Sequence, residues 1–128
     1  LVDRLVGMGL VRRLEDGDLE VLDPALLAAG LQVVGLGVPP DALIDAQTSV
    51  NEHVRAIAQT YVEMFVATGW QAFVDAGAPA ERLETVLDTV ARLQPVAAQA
   101  VLAAFRTEMA AAVETAVETA LSRLPPGE

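Results

Sequence analysis

The sequence predicts a mainly α-helical protein, a bundle of about five helices plus a short one, with a small β-hairpin near its N-terminus. Of the 128 residues, 53% are hydrophobic and only 4% are aromatic, so abundant alanine must let the helices approach closely. This length supports one hydrophobic core. Apolar residues recur at alternating steps of about three and four between Asp41 and Thr68, which predicts one long helix.

The N-terminal part of the chain predicts a helix followed by a hairpin. The first nine residues place apolar side chains near one helical face and end at Gly9. Asp16-Gly17 then accepts the backbone angles of a tight turn, so we expect a hairpin over 10–22. Its tip is acidic and would repel phosphates, which argues against a DNA-reading wing. We expect residues 1–22 to form the edge of one domain that continues over 23–124.

Local signals divide the middle of the chain into two helices. Asp23 is a predicted N-cap, Pro24 fits the first helical position, and Gly35 ends this helix. The long helix follows. Its first-turn N–H groups are expected to meet the Asp41 carboxylate, and Gly69 is expected to end it.

The C-terminal part predicts three further pieces of helix. A short amphipathic piece follows Trp70, and a helix then runs from Pro79 to Leu93. Pro95 is expected to break the chain, since proline lacks the N–H that a helix interior requires. The last helix is predicted over 96–124, and residues 125–128 form a tail.

The long helix carries a narrow apolar seam with one polar interruption. Such a seam needs a partner helix, either from this chain or from an identical chain. We predict that its N-terminal part pairs two subunits of a homodimer through Leu43, Gln47, Val50, Val54 and Ile57.

Composition excludes several kinds of function. The net charge is −10, so the chain is a poor nucleic-acid or acidic-membrane binder by itself. With no cysteine and a single histidine, His53, no set of metal ligands is visible. No acid–base pair or activated nucleophile is recognisable either. We therefore predict no enzyme activity, no catalytic residues, no metal and no cofactor.

Hydropathy and the chain ends suggest a cytoplasmic protein. The longest uncharged run, Pro24–Pro40, is interrupted by glycine and proline and is too short to span a bilayer. No signal peptide is visible. The chain starts at Leu1, inside an apparently helical pattern, so we expect a segment of a longer protein.

A soft, aromatic cluster is the strongest candidate for a binding site. Four of the five aromatic residues lie between Tyr61 and Phe73, and the last helix is expected to face the same core. An apolar pocket with few polar groups is typical of small-molecule sites. The predicted ligand-binding residues are Tyr61, Met64, Phe65, Trp70, Phe73, Phe105 and Met109, although simple core packing would explain the same pattern.

Several helix and turn features resemble the C-terminal part of a group of MerR-family transcriptional regulators. They are Asp23-Pro24 with Leu26-Leu27 and Gly30, the turn Gly37-Val38-Pro39, Trp70 with Phe73, and Leu93 with Pro95. In that family an N-terminal winged helix binds promoter DNA as a dimer, and the C-terminal helical region dimerises and senses a ligand.

The resemblance implies a ligand-sensing and dimerisation domain that is detached from its DNA-binding winged helix. The implied partners are a second copy of the chain, a small apolar or aromatic effector, and DNA only through the missing N-terminal domain. The cysteines of the metal-sensing members are absent, which disfavours metal sensing. Two alternatives are a purely structural helical dimerisation domain and the sensor domain of a MarR- or TetR-like regulator.

Overall fold

A computed structural model describes residues 1–127 and confirms a mainly α-helical fold with a small antiparallel hairpin. The contacts group Leu1–Thr60 as a first unit and Tyr61–Glu128 as a second, whereas the sequence predicted one domain. Glu128, the end of the predicted tail, lies outside the described residues. The elements are α1 (Val2–Gly7), β1 (Val11–Arg13), β2 (Leu19–Val21), α2 (Pro24–Gly35), α3 (Pro40–Phe65), a π-helical segment (Val66–Trp70), α4 (Gln71–Asp75) and α5 (Ala80–Ser122).

A glycine-terminated helix end joins α1 to the hairpin. The Leu10 amide donates to the Leu5 carbonyl at 3.1 Å and the Gly9 amide donates to Val6 at 3.0 Å, with Gly9 at φ +77°. This pair of bonds is a Schellman motif, which satisfies carbonyls that the helix leaves free. The chain thereby turns directly into β1, as the sequence predicted.

The hairpin forms at the predicted dipeptide. Val11 of β1 lies opposite Val21 of β2, and Gly17 adopts φ +88° in the turn. The Asp16 carboxylate also accepts a 3.0 Å bond from the Asp18 amide. Such a side chain-to-backbone bond is the reason that aspartate favours turns. The hairpin prediction is confirmed.

The start of α2 agrees with the prediction from the sequence, whereas the start of α3 differs from it. Asp23 caps α2 as predicted, accepting from the Leu26 amide at 3.1 Å, and Pro24 occupies the first turn. In α3, however, Pro40 is already helical and Asp41 lies inside the first turn. Its carboxylate accepts from the Arg4 guanidinium at 3.4 Å. The predicted capping by Asp41 is therefore wrong, because the helix begins one residue earlier.

Two predicted helix ends are also wrong. The chain does not leave the helix at Gly69 but passes through the π-helical segment into α4. Pro95 does not break the chain either, and α5 continues through it as one helix of 43 residues. Each local cost is limited, roughly 1 kcal/mol for an interior glycine and 3 for proline. The favourable helix propensity of the residues on both sides offsets these costs.

Few side chains are buried. In the first unit Leu10, Val11 and Ile44 are less than one-tenth exposed, and in the second unit only Phe73 is, among the described residues. No residue of α5 is buried. The core is thus concentrated where α1, the hairpin, α2 and the start of α3 meet.

Candidate ligand site and dimerisation surface

The π-helical segment brings two of the predicted ligand residues together. Trp70 and Phe73 pack with ring centroids 5.2 Å apart and a 42° angle between the rings. Phe73 is buried, whereas Trp70 is 37% exposed. This tilted arrangement is within the favourable range for aromatic pairs. Short π-helical turns within α-helices occur often at functional sites.

Phe65 and Gly69 complete the local packing of this turn. A Cβ atom on Gly69 would lie 2.9 Å from Phe65 Cε2, closer than carbon atoms normally approach. The absence of a side chain at Gly69 therefore leaves room for the Phe65 ring. The glycine that was expected to end the helix instead allows an aromatic ring to lie against the backbone.

A second glycine-based helix end fixes the position of Phe73. The Ala78 amide donates to the Phe73 carbonyl at 3.0 Å and the Gly77 amide donates to Val74 at 3.0 Å. These two bonds again form a Schellman motif. Ala78 itself has φ +48°, an uncommon conformation for a residue with a side chain. The turn therefore fixes the backbone at Phe73, the buried member of the aromatic pair.

None of the other predicted ligand residues forms an aromatic pair with Trp70 or Phe73 in the described part of the chain. Tyr61 is half-buried and Met64 is exposed. On α5, Phe105 and Met109 are 55% and 47% exposed. Within residues 1–127, Trp70 and Phe73 are the one aromatic pair in contact. The structure therefore divides the predicted set into three groups: the packed pair, two exposed apolar side chains on α5, and the last residues of α3, which are Tyr61, Met64 and Phe65.

The predicted dimer seam on α3 also divides into two parts. Leu43 and Gln47 line a cavity within the first unit, and Leu43 Cδ2 lies 3.7 Å from the position of a Cβ on Gly30. These two residues therefore face their own chain. By contrast, Val50, Val54 and Ile57 are 47%, 49% and 37% exposed. Only this second group leaves an apolar surface available to a partner.

Helix α5 presents the longest exposed apolar surface. Its large apolar side chains repeat at helical spacing, so that they share one face. Each is roughly half exposed; they are Leu102, Phe105, Met109, Val113, Val117 and Leu121. We call this set the α5 stripe. Alanines lie between most of its members, and these small side chains allow another helix to approach closely.

A cavity in the first unit was not predicted from the sequence. Its volume is about 200 Å³, and α1, α2 and α3 contribute most of its walls. None of the seven predicted ligand residues lines it. A sequence signal did exist, since the leucine-rich α2 contains Gly30 at a position facing α3. The pattern could show that these faces meet but not that they leave a space between them.

Ion pairs occupy several of the arginines in the first unit. Arg4 of α1 contacts both Asp41 and Asp45 of α3, and these carboxylates raise the pKa of Arg4, chiefly through the hydrogen bond to Asp45. On the hairpin, Arg12 pairs with Glu20 and Arg13 pairs with Asp3. The strand arginines are thus already engaged by carboxylates, which is unlike the free positive charge that phosphate binding requires.

Residues 1–127 contain one helix of membrane-spanning length and no cluster of metal-binding side chains. Over 1–127, no three His, Asp or Glu side chains are grouped as they would be around a metal ion. Helix α5 is long and apolar enough to cross a membrane by length and composition, with an 18-residue stretch of mean hydropathy 1.3. A helix that packs against another helix in water can be equally long and apolar, so length and hydropathy do not distinguish a membrane-spanning helix from a helix at a protein interface.

Comparisons with known proteins leave the sequence resemblance as a prediction. No protein-family model matches the chain, and neither a curated protein nor a solved structure is significantly similar to it.

Proposed function

We propose that the chain is the dimerisation and effector-sensing region of a transcriptional regulator similar to the MerR family. The observation that carries this proposal is the α5 stripe, an apolar face that extends along a 43-residue helix in which no residue is buried. A helix of this length measures about 65 Å. Exposed apolar faces of this extent are typical of protein interfaces.

The exposed area supports association between copies of the chain. The chain exposes 10029 Å². Two compact bodies with the masses of the two units, each taken by itself, would expose about 7,800 Å² in total. The excess is roughly 2,200 Å², whereas a standard protein interface needs about 800 Å² from each partner. A second copy that covers the α5 stripe would remove part of this excess.

Charges within the apolar part of α5 favour a helix partner over a lipid environment. Between Leu93 and Val113 the helix carries Arg106 and Glu108. A charged side chain at the centre of a bilayer costs several kcal/mol, on the order of 3 by insertion scales. In a helix pair Glu108 lies on another face of α5, and Arg106 at the edge of the stripe can extend its long side chain to water while the stripe is covered.

Dimerisation is tested by placing a charge in the α5 stripe. We expect the parent chain to sediment at twice its 13.4 kDa mass at micromolar concentration. Val113→Glu should shift it to the monomer, because each subunit would bury an unpaired carboxylate. Thr115→Glu adds the same charge on another face of α5 and is the matched control. A monomeric parent, or equal association of both variants, would refute the proposed interface.

The sensing part of the proposal is supported by the partly exposed Trp70 against the buried Phe73. Trp70→Ala and Tyr61→Ala should each weaken the binding of a small aromatic effector without unfolding the chain. Calorimetry with a panel of small aromatic compounds measures this directly, and circular dichroism checks the fold. If a compound binds the parent and both variants equally well, the aromatic site is excluded.

A purely structural dimerisation domain is the second candidate. The observation that favours it is the exposure of Phe105 and Met109, which belong to the same regular stripe as their neighbours on α5. In a dimer these side chains would fill the helix interface instead of lining a pocket. A dimer that no compound of the panel binds or stabilises would support this candidate over the sensor.

A further inference from the structure

The cavity of the first unit is almost completely apolar. It measures about 200 Å³. Its walls include Leu5 and Met8 of α1, Leu27 and Val34 of α2, and Ile44 of α3. The space is a cleft that opens to solvent, since Leu1 and Leu31 of its lining are each 64% exposed. Its volume accommodates a neutral molecule with about seven to ten non-hydrogen atoms.

One lining residue, Gln47, has a polar side chain that could orient a bound ligand. Gln47 is half-buried, and its Nε2 donates a 2.8 Å hydrogen bond to Asn51 Oδ1. This bond fixes the plane of the amide. The Oε1 atom accepts no hydrogen bond from residues 1–127, so it remains an acceptor for a ligand O–H or N–H group. Small-molecule sites commonly combine apolar walls with a few such polar atoms.

The charges around the cavity select against ions. No lining side chain is charged. Arg4, a cation on α1, is engaged by Asp41 and Asp45, which raise its pKa and keep its charge paired. An anion would therefore find no cationic side chain in the lining and would meet a chain of net charge −10. A cation would lose its hydration without gaining a carboxylate in the cavity.

We infer that this cavity is a binding site for a small neutral apolar molecule with one hydrogen-bond donor, of the size and polarity of a phenol. The site is separate from the aromatic residues of the proposed sensor function and does not depend on that function. Apolar burial provides most of the affinity, and the bond to Gln47 Oε1 orients the donor end.

The three methionines of the chain allow both candidate sites to be observed in one experiment. Met8 lines the cavity, whereas Met64 and Met109 belong to the predicted aromatic set. In the full chain labelled with ¹³C-methyl methionine, phenol and toluene are the probes, since they have nearly the same shape. We expect the Met8 signal to shift in a saturable way with a dissociation constant on the order of 1 mM. The other two signals should stay unchanged.

Two glycines of the same helix supply the matched variants. Gly30→Leu places a side chain towards Leu43 and the cavity and should weaken both probes at least about tenfold, a loss of at least about 1.4 kcal/mol. Gly35→Leu makes the same change where a Cβ meets nothing within 4 Å, and it should leave binding unaltered. If Gly30→Leu does not fold, Leu27→Trp at a half-buried lining residue and its exposed control Leu36→Trp replace the pair.

Gln47→Leu tests the polar end of the site. It should weaken phenol binding by about fivefold and leave toluene binding unweakened, because only phenol donates a hydrogen bond.

The proposal is overturned if Met8 shows no saturable shift up to about 10 mM of either probe. It is also overturned if Gly35→Leu is as damaging as Gly30→Leu, if Gln47→Leu affects both probes alike, or if Gly30→Leu dissociates a dimer, which would identify a second copy as the occupant. Shifts at Met64 or Met109 alone would support the aromatic sensor site and refute this one.

Discussion

The first and second units differ in how much of their apolar surface they bury within the chain. In the first unit, short helices and a hairpin pack on each other, and three apolar side chains are more than nine-tenths buried. In the second unit most residues belong to one helix, α5, and Phe73 is the one buried side chain among those described. A chain that turns often can cover its apolar faces internally. One long helix leaves its face for a partner.

This contrast predicts that core substitutions act differently in the two units. Ile44→Ala should lower the free energy of unfolding by about 3 kcal/mol, since a buried isoleucine leaves a cavity when shortened. The loss should be the same at every protein concentration. Urea unfolding followed by circular dichroism at two concentrations measures both points.

The matched substitution in the second unit is Leu102→Ala on the α5 stripe. Its effect should be small in dilute solution, where Leu102 is 48% exposed, and should grow with protein concentration as chains associate. If Leu102→Ala destabilises the dilute monomer as much as Ile44→Ala does, the contrast between the units is false.

The interior proline of α5 offers a stabilising change. Pro95→Ala should raise the free energy of unfolding by up to about 3 kcal/mol, because it restores an N–H to the helix and removes a ring that crowds the preceding turn. Thermal and urea unfolding measure the gain. Pro24→Ala is the control, since Pro24 lies in the first turn of α2 where no N–H is required, and its effect should be near zero. Equal effects at both prolines would contradict this account of α5.

A smaller effect is expected at the cap of α2. Asp23→Ala removes the acceptor for the Leu26 amide and should cost the first unit about 1 kcal/mol. Asp23→Asn keeps an acceptor oxygen and should retain most of the stability. Denaturant midpoints of the two variants provide the measurement, and an unchanged midpoint for Asp23→Ala would show that the cap contributes nothing.

The smallest effect is expected at the exposed ion pairs of Arg4. Arg4→Gln should slightly destabilise the first unit at low ionic strength, and this difference should disappear in high salt. Because these carboxylates raise the pKa of Arg4 above its ordinary value, chiefly through the hydrogen bond to Asp45, the contribution of its charge to stability is lost as pH rises through the folded-state pKa. A salt-independent difference would indicate a packing role for the Arg4 side chain.

Elements with strong local signals could be predicted from the sequence. Asp16-Gly17 specifies its turn through backbone angles, and Asp23-Pro24 specifies the start of α2 through a cap and a preset φ. Each signal acts within a few residues. The hairpin and the start of α2 consequently formed where predicted, because the residues that specify them are neighbours in the sequence.

The remaining features depend on sums over many residues. Gly69 and Pro95 each disfavour a helix locally. The free-energy cost of each is offset by the helix-forming residues on both sides, and this sum cannot be read from a single position. For the candidate site, periodicity identified the apolar faces of α3 and α5 but not what each face meets. Leu43 and Val50 lie on one seam, yet the first faces its own chain and the second is exposed.

The π-helical segment has a consequence for how the chain tolerates changes in length. A π-helical turn contains about one residue more than an α-helical turn. Deletion of one residue within Val66–Trp70 can therefore restore α-helical bonding and preserve the register of Phe73 relative to Phe65. The same deletion earlier in α3 would rotate all later side chains by about 100°. Deleting Ala67 should accordingly leave the circular dichroism and melting temperature close to those of the parent, whereas deleting Ala58 should not.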